Sequence, residues 1–226
     1  MIDLKKRLIL STVVSSSNKK RITVEKIADN LGISSSYVHE FLSSFKNIVI
    51  DKNVVYIIDK SGLVIEAWLK GFNITDIALR SGWRDLERLC SVLFRKFGYA
   101  TYMNFRFKWC NERREIDVLA LKVPNIFLCD CKLWRRARVS QLKEAIEKQR
   151  ERALLFSKAI KGSNFLVDIA KGWKYAEVYP IIITVLEVPL KVYKGIAVVS
   201  LSSLRSFLIE FDSYRDILDC YFINLY

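Results

Sequence analysis

Three residues stand out for the chemistry they can do together. Asp117 falls in the run Glu115-Ile116-Asp117-Val118, and Asp130 and Lys132 fall in Cys129-Asp130-Cys131-Lys132. Along an extended strand, residues two apart share a face. Asp130 and Lys132 therefore project together, while Cys129 and Cys131 point the other way. Pro124 lies between two strand-like runs, Ile116 to Lys122 and Ile126 to Lys132, and a hairpin about it would bring Asp117 near Asp130. Two carboxylates can hold Mg2+ or Mn2+, ions that keep several waters in their shell. Such an ion lowers the pKa of a bound water and offsets charge developing on a phosphate. A lysine beside it can orient the nucleophile and stabilise the same charge. The set suits phosphodiester hydrolysis; the plain alternative is a strand end with a surface salt bridge, because D-x-K triplets are common by chance.

The elements that must position these residues can be read from periodicity. Trp83 to Phe97 carries Leu86, Leu89, Cys90, Leu93 and Phe94 at helical spacing, and Gly98 ends it as a C-cap would. Tyr99 to Phe107 alternates as a strand, Asn111 to Arg114 is a polar turn, and the two strands flanking Pro124 follow. Ser140 to about Lys161 is a long helix. Val178 to Leu186 is a continuous apolar run, as expected of a strand buried on both faces, and Ile196 to Ser200 is another. Ser200 or Ser202 can cap a helix through Leu204 and Phe207. A last amphipathic stretch, Ser213 to Tyr226, holds Ile217, Leu218, Phe222 and Leu225.

This order of elements, with Asp117 and Asp130-x-Lys132 where they fall, resembles the PD-(D/E)xK nuclease superfamily, which includes restriction enzymes, archaeal Holliday-junction resolvases and Mrr-like endonucleases. The resemblance covers roughly residues 76 to 210. It implies an α/β fold, a restriction-endonuclease-like mixed sheet flanked by helices. It also implies a metal site of Asp117, Asp130 and Glu87, the last matching the family's acid on the preceding helix, with Asp85 as the alternative. Ile116 stands where the family name has Pro, and Asp130 where Glu is common in resolvases; neither removes a ligand. Several members place a glutamine on the helix that follows, and Gln149 is preferred to Gln141 because Lys148 and Arg152 flank it. An ordinary charged helix face explains these residues nearly as well. Glu115, two residues before Asp117, is a candidate to support the site.

An earlier segment, Thr23 to Phe45, resembles the helix-turn-helix family. Thr23 and Ser34 can cap two helices. Ala28 supplies the small residue where they cross, and Gly32 the turn residue that tolerates positive φ. Ile27, Leu31, Ile33, Val38 and Phe41 match the buried positions. Ile48 to Ile50 and Val54 to Ile58 flank Asp51-Lys52-Asn53 as a hairpin, which would be a wing. A helix before it, residues 2 to 16, has Leu4, Leu8, Leu10 and Val14 as its candidate buried face, and a helix from Lys60 to Phe72 follows the hairpin. The expected domains are a winged helix-turn-helix over 1–72 and a nuclease-like domain over 73–226.

Charge fits a polyanionic partner. The chain has 37 Lys and Arg against 24 Asp and Glu, a formal charge of +13 over 226 residues. Residues 106 to 161 hold 15 of the basic and 7 of the acidic residues, so Arg113, Arg114, Arg135, Arg136 and Arg138 are expected to rim the site. Trp109 and Trp134 can stack on bases, although burial is the commoner fate of tryptophan. The presumed recognition helix offers Ser35, Ser36 and His39 but no Arg or Lys, which leaves DNA contact and protein contact both open. No apolar run approaches the ~20 residues of a membrane span. Five cysteines without zinc spacing predict reduced thiols in a cytoplasm. The expected activity is a Mg2+- or Mn2+-dependent endonuclease acting on DNA, with no membrane partner; a homodimer is compatible with the sequence. The alternatives are a non-catalytic DNA-binding regulator on a vestigial nuclease fold, or a nuclease acting on RNA or branched DNA.

Overall fold

The computed structural model describes residues 4–16, 22–72, 83–134, 138–161 and 172–225. The chain divides into two compact units, residues 1–89 and 90–226. The boundary expected at 72/73 adjoins residues 73–82, which lie outside the described residues.

In the first unit the local signals are obeyed. The elements are α1 (Leu4–Ser16), β1 (Ile22–Thr23), α2 (Val24–Leu31), α3 (Ser35–Ser43), β2 (Ile48–Asp51), β3 (Val54–Ile57) and α4 (Lys60–Leu69). The Thr23 side chain accepts from the Lys26 N–H, and Ser34 accepts from the Tyr37 N–H, each satisfying an orphan donor of a first helical turn. Gly32 takes the left-handed conformation (φ 61°), and the Ile33 N–H then closes back on the Ala28 carbonyl at 3.1 Å. Strands β2 and β3 pair about Lys52 and Asn53, both at positive φ, and β1 adds to β3. Two expectations need correction. Leu10 and Val14 of α1 are buried as expected, but Leu4 and Leu8 are exposed, and Ile9 and Val13 complete the buried stripe in their place. Leu31 and Ile33 are only half-buried, since both flank the αL turn where the chain leaves the helix pair.

Helix α5 (Trp83–Lys96) leads into the second unit. There β4 (Ala100–Trp109), β5 (Glu112–Lys122), β6 (Asn125–Lys132), α6 (Val139–Ile160), β7 (Tyr175–Thr184), β8 (Val192–Tyr193), β9 (Ile196–Ser200), α7 (Leu204–Ile209), α8 (Phe211–Tyr214) and β10 (Tyr221–Asn224) follow. They build a mixed α/β architecture: a seven-stranded sheet of order β4-β5-β6-β7-β9-β8, with β10 also paired to β7, flanked by helices. The β4-β5-β6 meander is antiparallel, and β6-β7-β9 is parallel. Strand β7 reads as a continuous apolar run because both its faces are covered. Pro180 falls between Val178, the last residue paired with β10, and Ile181, the first paired with β9, so its missing N–H costs no ladder bond on that side.

The stretch from Ser213 onward, legible in the sequence only as amphipathic, ends in β10, antiparallel to β7. Leu218, Phe222 and Leu225 stand at helical spacing, but the open edge of the N-terminal half of β7 takes Tyr221–Asn224 as a strand. Ile223 is thereby buried in the cluster of Phe107, Leu119, Leu128, Phe156 and Val178.

Candidate active site

The two faces of β6 are chemically different because alternation separates them. Ile126 and Leu128 face α6 with Ala153, Phe156 and Ile160. Asp130 continues that face at the end of the strand. Phe127 points the other way, its ring 5.6 Å from Phe94 and 4.7 Å from Phe211.

Asp130 is buried, 3% exposed, and both its oxygens are engaged. Lys132 Nζ lies 2.8 Å from Oδ2, and Arg152 Nη1 lies 3.0 Å from Oδ1. A carboxylate this deep is tolerable only with such counter-charges. Arg152 also donates to Gln149 Oε1. Gln149, wholly buried on α6, donates through Nε2 to the carbonyls of Leu128 (2.6 Å) and Ile181 (3.3 Å). One helix thus ties β6 and β7 together and holds the arginine that meets Asp130.

The β5–β6 ladder ends at Val118 opposite Cys129, so continuing the register places Asp117 opposite Asp130. Its carboxylate Oδ2 takes the Cys131 N–H at 2.7 Å, which fastens the side chain where the two strands part. Burial raises the pKa of Asp117, and the Asp130 charge raises it further; the Cys131 N–H and the cations Lys132 and Arg152 pull in the opposite direction. The two carboxylates therefore share a neighbourhood, and Asp130 disfavours charge on Asp117. Opposite Asp117 on β4 stands Asn104, at φ 51°, a left-handed residue inside a strand. Asparagine is among the side chains that tolerate this conformation best. The effect is visible in the faces: Tyr102 and Leu119 lie toward the α6 cluster before it, Phe105 and Ile116 after it. Two residues intervene where alternation would need one, so both strands change face together at Asn104 and Asp117.

The other expected residues are distributed unevenly. Glu87 is buried on α5, at 6% exposure, and belongs to the first unit; the side chain of Asp85 lies outside the described residues. Glu115 is exposed and held by Arg106 at 2.7 Å, so its charge is spent away from Asp117. Arg114 is bound to Glu112 (2.5 Å) and Glu151 (3.6 Å), leaving Arg113 and Arg138 as the exposed cations among the arginines expected at the rim. Arg135 and Arg136 lie outside the described residues. Gln141 is exposed and accepts the Arg138 N–H at the start of α6, so the glutamine at the site is Gln149. Trp134 packs against the cluster of Leu142, Ile146 and Ile182. In the first unit Ser35, Ser36 and His39 are exposed along α3. Sequence reasoning left Asn104 out, because a positive φ inside a strand leaves no mark in composition. It placed Arg152 only as a flanking residue; the Gln149–Arg152 spacing of three, one helical turn, was the available signal.

Behind the site the thiols of Cys90, Cys129 and Cys131 meet, all fully buried and none in a disulfide. The hydrogen bond with Cys129 and then burial raise the Cys90 pKa; for Cys131 it is the bond with Cys90 and then burial, and for Cys129 burial leads. Such thiols are protonated and inert. Among the described residues no group of three or more His, Cys, Asp or Glu side chains is placed to hold a metal ion. No described helix is long and apolar enough to cross a membrane.

No family model matches the chain. An uncharacterized protein of Archaeoglobus fulgidus is 28% identical over 134 residues, which cover 58% of this chain and 93% of that protein. Two solved structures are similar at low level. A protein of unknown function, AF1548, has 19% identity and a TM-score of 0.37, over 56% of this chain and 65% of its own. Protein VC1899 from Vibrio cholerae has 10% identity and a TM-score of 0.42, over 94% of this chain and 51% of its own. The chain thus spans about two thirds of the first solved structure and half of the second. The chemistry is accordingly read from the side chains alone.

Proposed function

We propose that the second unit is a PD-(D/E)xK-like, Mg2+- or Mn2+-dependent phosphodiesterase cutting DNA, and that the first is a winged helix-turn-helix that influences where it binds. The observation that carries this reading is the meeting of Asp117, Asp130 and Lys132 where β5 and β6 part. The oxygen donors suit a hard cation. Mg2+ takes only one or two protein carboxylates and completes its shell with water and substrate phosphate, so two acids are sufficient and a larger cage is not required. Asp117 and Asp130 would hold the ion; Glu87, the third acid that the resemblance implies, belongs to the first unit. When bound, such an ion polarises the phosphate and makes a bound water more acidic.

The chain's own groups do the rest. Asp130 holds Lys132 so that its ammonium faces the same space as Asp117, where it can orient a nucleophile and meet charge developing on a phosphate. Gln149 and Arg152 restrain the Asp130 carboxylate, as supporting residues around metal ligands do. The engagement of both Asp130 oxygens by cations also favours a second reading, in which the cluster is a closed ionic lock and the protein binds DNA without cutting it.

The deciding experiment incubates the full chain with duplex, single-stranded and four-way-junction DNA and with RNA, with Mg2+, Mn2+ or EDTA, beside Asp117→Asn. Metal-dependent cleavage by the wild type alone supports the nuclease. Binding with no cleavage in any metal overturns it in favour of the lock.

A further inference from the structure

We propose that the outer half of the β4–β5 hairpin is an arm that grips the phosphate backbone of duplex nucleic acid, an inference that rests on the nuclease reading for its partner class. Strand β5 pairs with β6 only from Val118 to Lys122, but with β4 all the way to Glu112 opposite Trp109. Five register pairs, Phe105 opposite Ile116 through Trp109 opposite Glu112, therefore run beyond β6 as a two-stranded ribbon, about 17 Å long at ~3.4 Å per residue. Its tip is a two-residue turn, Cys110 and Asn111, with both residues at positive φ (44° and 67°). This is the geometry that suits the twist of a tight hairpin.

The ribbon's faces have different occupations. One is spent on the fold: Phe105 and Phe107 meet the Phe156 ring at 6.2 Å and 5.5 Å, and Arg114 reaches Glu151 on α6. The other face carries Arg106 opposite Glu115 and, one step outward, Lys108 opposite Arg113. The inner pair is complementary, at 2.7 Å. The outer pair is two like charges in direct register, which costs a sheet stability. Both side chains are exposed, and neither has an ion-pair partner among the described residues. A fold-only role would favour another complementary pair; two unspent cations at the end of a stiff ribbon are matched by a polyanion. A duplex is the fitting one, because its major groove is ~12 Å wide and admits a two-stranded ribbon.

The test measures binding of the full chain to a fluorescent duplex by anisotropy, in EDTA so that nothing is cut, across a salt series. Lys108→Ala/Arg113→Ala is compared with Lys158→Ala/Lys161→Ala, which removes the same charge from the end of α6. The ribbon variant should lower the slope of log affinity against log salt by about 1.8, two phosphates at ~0.9 each. The affinity lost between 50 and 200 mM salt should then shrink about tenfold. The charge-conserving Lys108→Arg/Arg113→Lys should keep the wild-type slope. If the double variant loses the wild-type circular dichroism, single Lys108→Gln and Arg113→Gln replace it, each expected to lower the slope by about 0.9. A slope that changes no more than in the α6 control, or no duplex binding by the wild type, overturns the arm. Ribbon-dependent binding without metal-dependent cleavage overturns the nuclease and leaves the arm standing; cleavage with ribbon-independent binding does the reverse.

Discussion

The two faces of β6 are buried to the same degree and handle their polar atoms in opposite ways. On one, Asp130 lies between Lys132 and Arg152. On the other, Cys129 and Cys131 meet Cys90 as neutral thiols. The difference shows what burial demands. A charge out of water must be matched by charge, whereas a thiol can give up its ionisation and remain as a small apolar group. Only the first face keeps charged groups in place for chemistry, and its supports reach across α6 and β7 through Gln149.

The comparison is broken most severely at Asp130. Asp130→Ala leaves Lys132 and Arg152 facing each other without the carboxylate between them. Breaking a buried ion pair costs about 3–5 kcal/mol, and the expected outcome is loss of cleavage together with a large drop in the urea midpoint. Cleavage retained at wild-type rate would mean that the charged face is only structural.

Asp117→Asn should separate function from stability. The folded-state pKa of Asp117 is raised. Such an acid favours folding below its unfolded value, ~3.9, and loses that advantage as pH rises through the folded value. The asparagine keeps an oxygen for the Cys131 N–H and carries no charge. Cleavage should vanish, while Tm at pH 7 should exceed that of the wild type by a margin that closes as pH falls below about 4. A Tm difference independent of pH would show that the charge at Asp117 carries no cost.

Gln149→Leu keeps the volume and removes the amide that holds Arg152 and the two strand carbonyls. Supporting residues of this kind typically cost about 10–100-fold in metal affinity or activity. Isothermal titration with Mn2+ and initial cleavage rates should both move. A loss of stability with metal affinity and rate unchanged would confine Gln149 to the core.

The smallest effects belong to the thiol face. Cys129→Ala and Cys131→Ala should each cost about 1 kcal/mol, the centre of the range for single substitutions. Cleavage and its pH profile should be unchanged, as measured by denaturation and steady-state rates. A shifted pH profile would show that the thiols are felt across the strand.

Legibility in the sequence followed the range of the interactions. The caps at Thr23 and Ser34 and the turn at Gly32 are encoded within a few residues of where they act, and the structure has each of them. So are the alternation that separates Asp130 from Cys131 and the apolar run of β7. The ambiguous residues were those whose partners are far away. Nothing local to Glu115 or Arg114 shows that Arg106 stands in register with the first, or that Glu112 and Glu151 lie beside the second. Gln141 and Gln149 have the same composition and nearly the same helix face, and only the depth of α6 against β6 and β7 distinguishes them.

By itself, then, the sequence determined the kinds of element, the acids and lysine worth watching, and which of them share a face, because side-chain period and capping are local properties of the chain. The tertiary structure decided which charges are spent and which remain. It made Tyr221–Asn224 a strand on β7, brought Arg152 to Asp130, fastened Asp117 to the Cys131 N–H, and set Asn104 in a conformation that turns two strands at once. Each of these depends on groups between 13 and 49 positions apart in the chain, as the register pairs and contacts place them. At that separation, desolvation and charge matching act only after the sheet and α6 have closed around them.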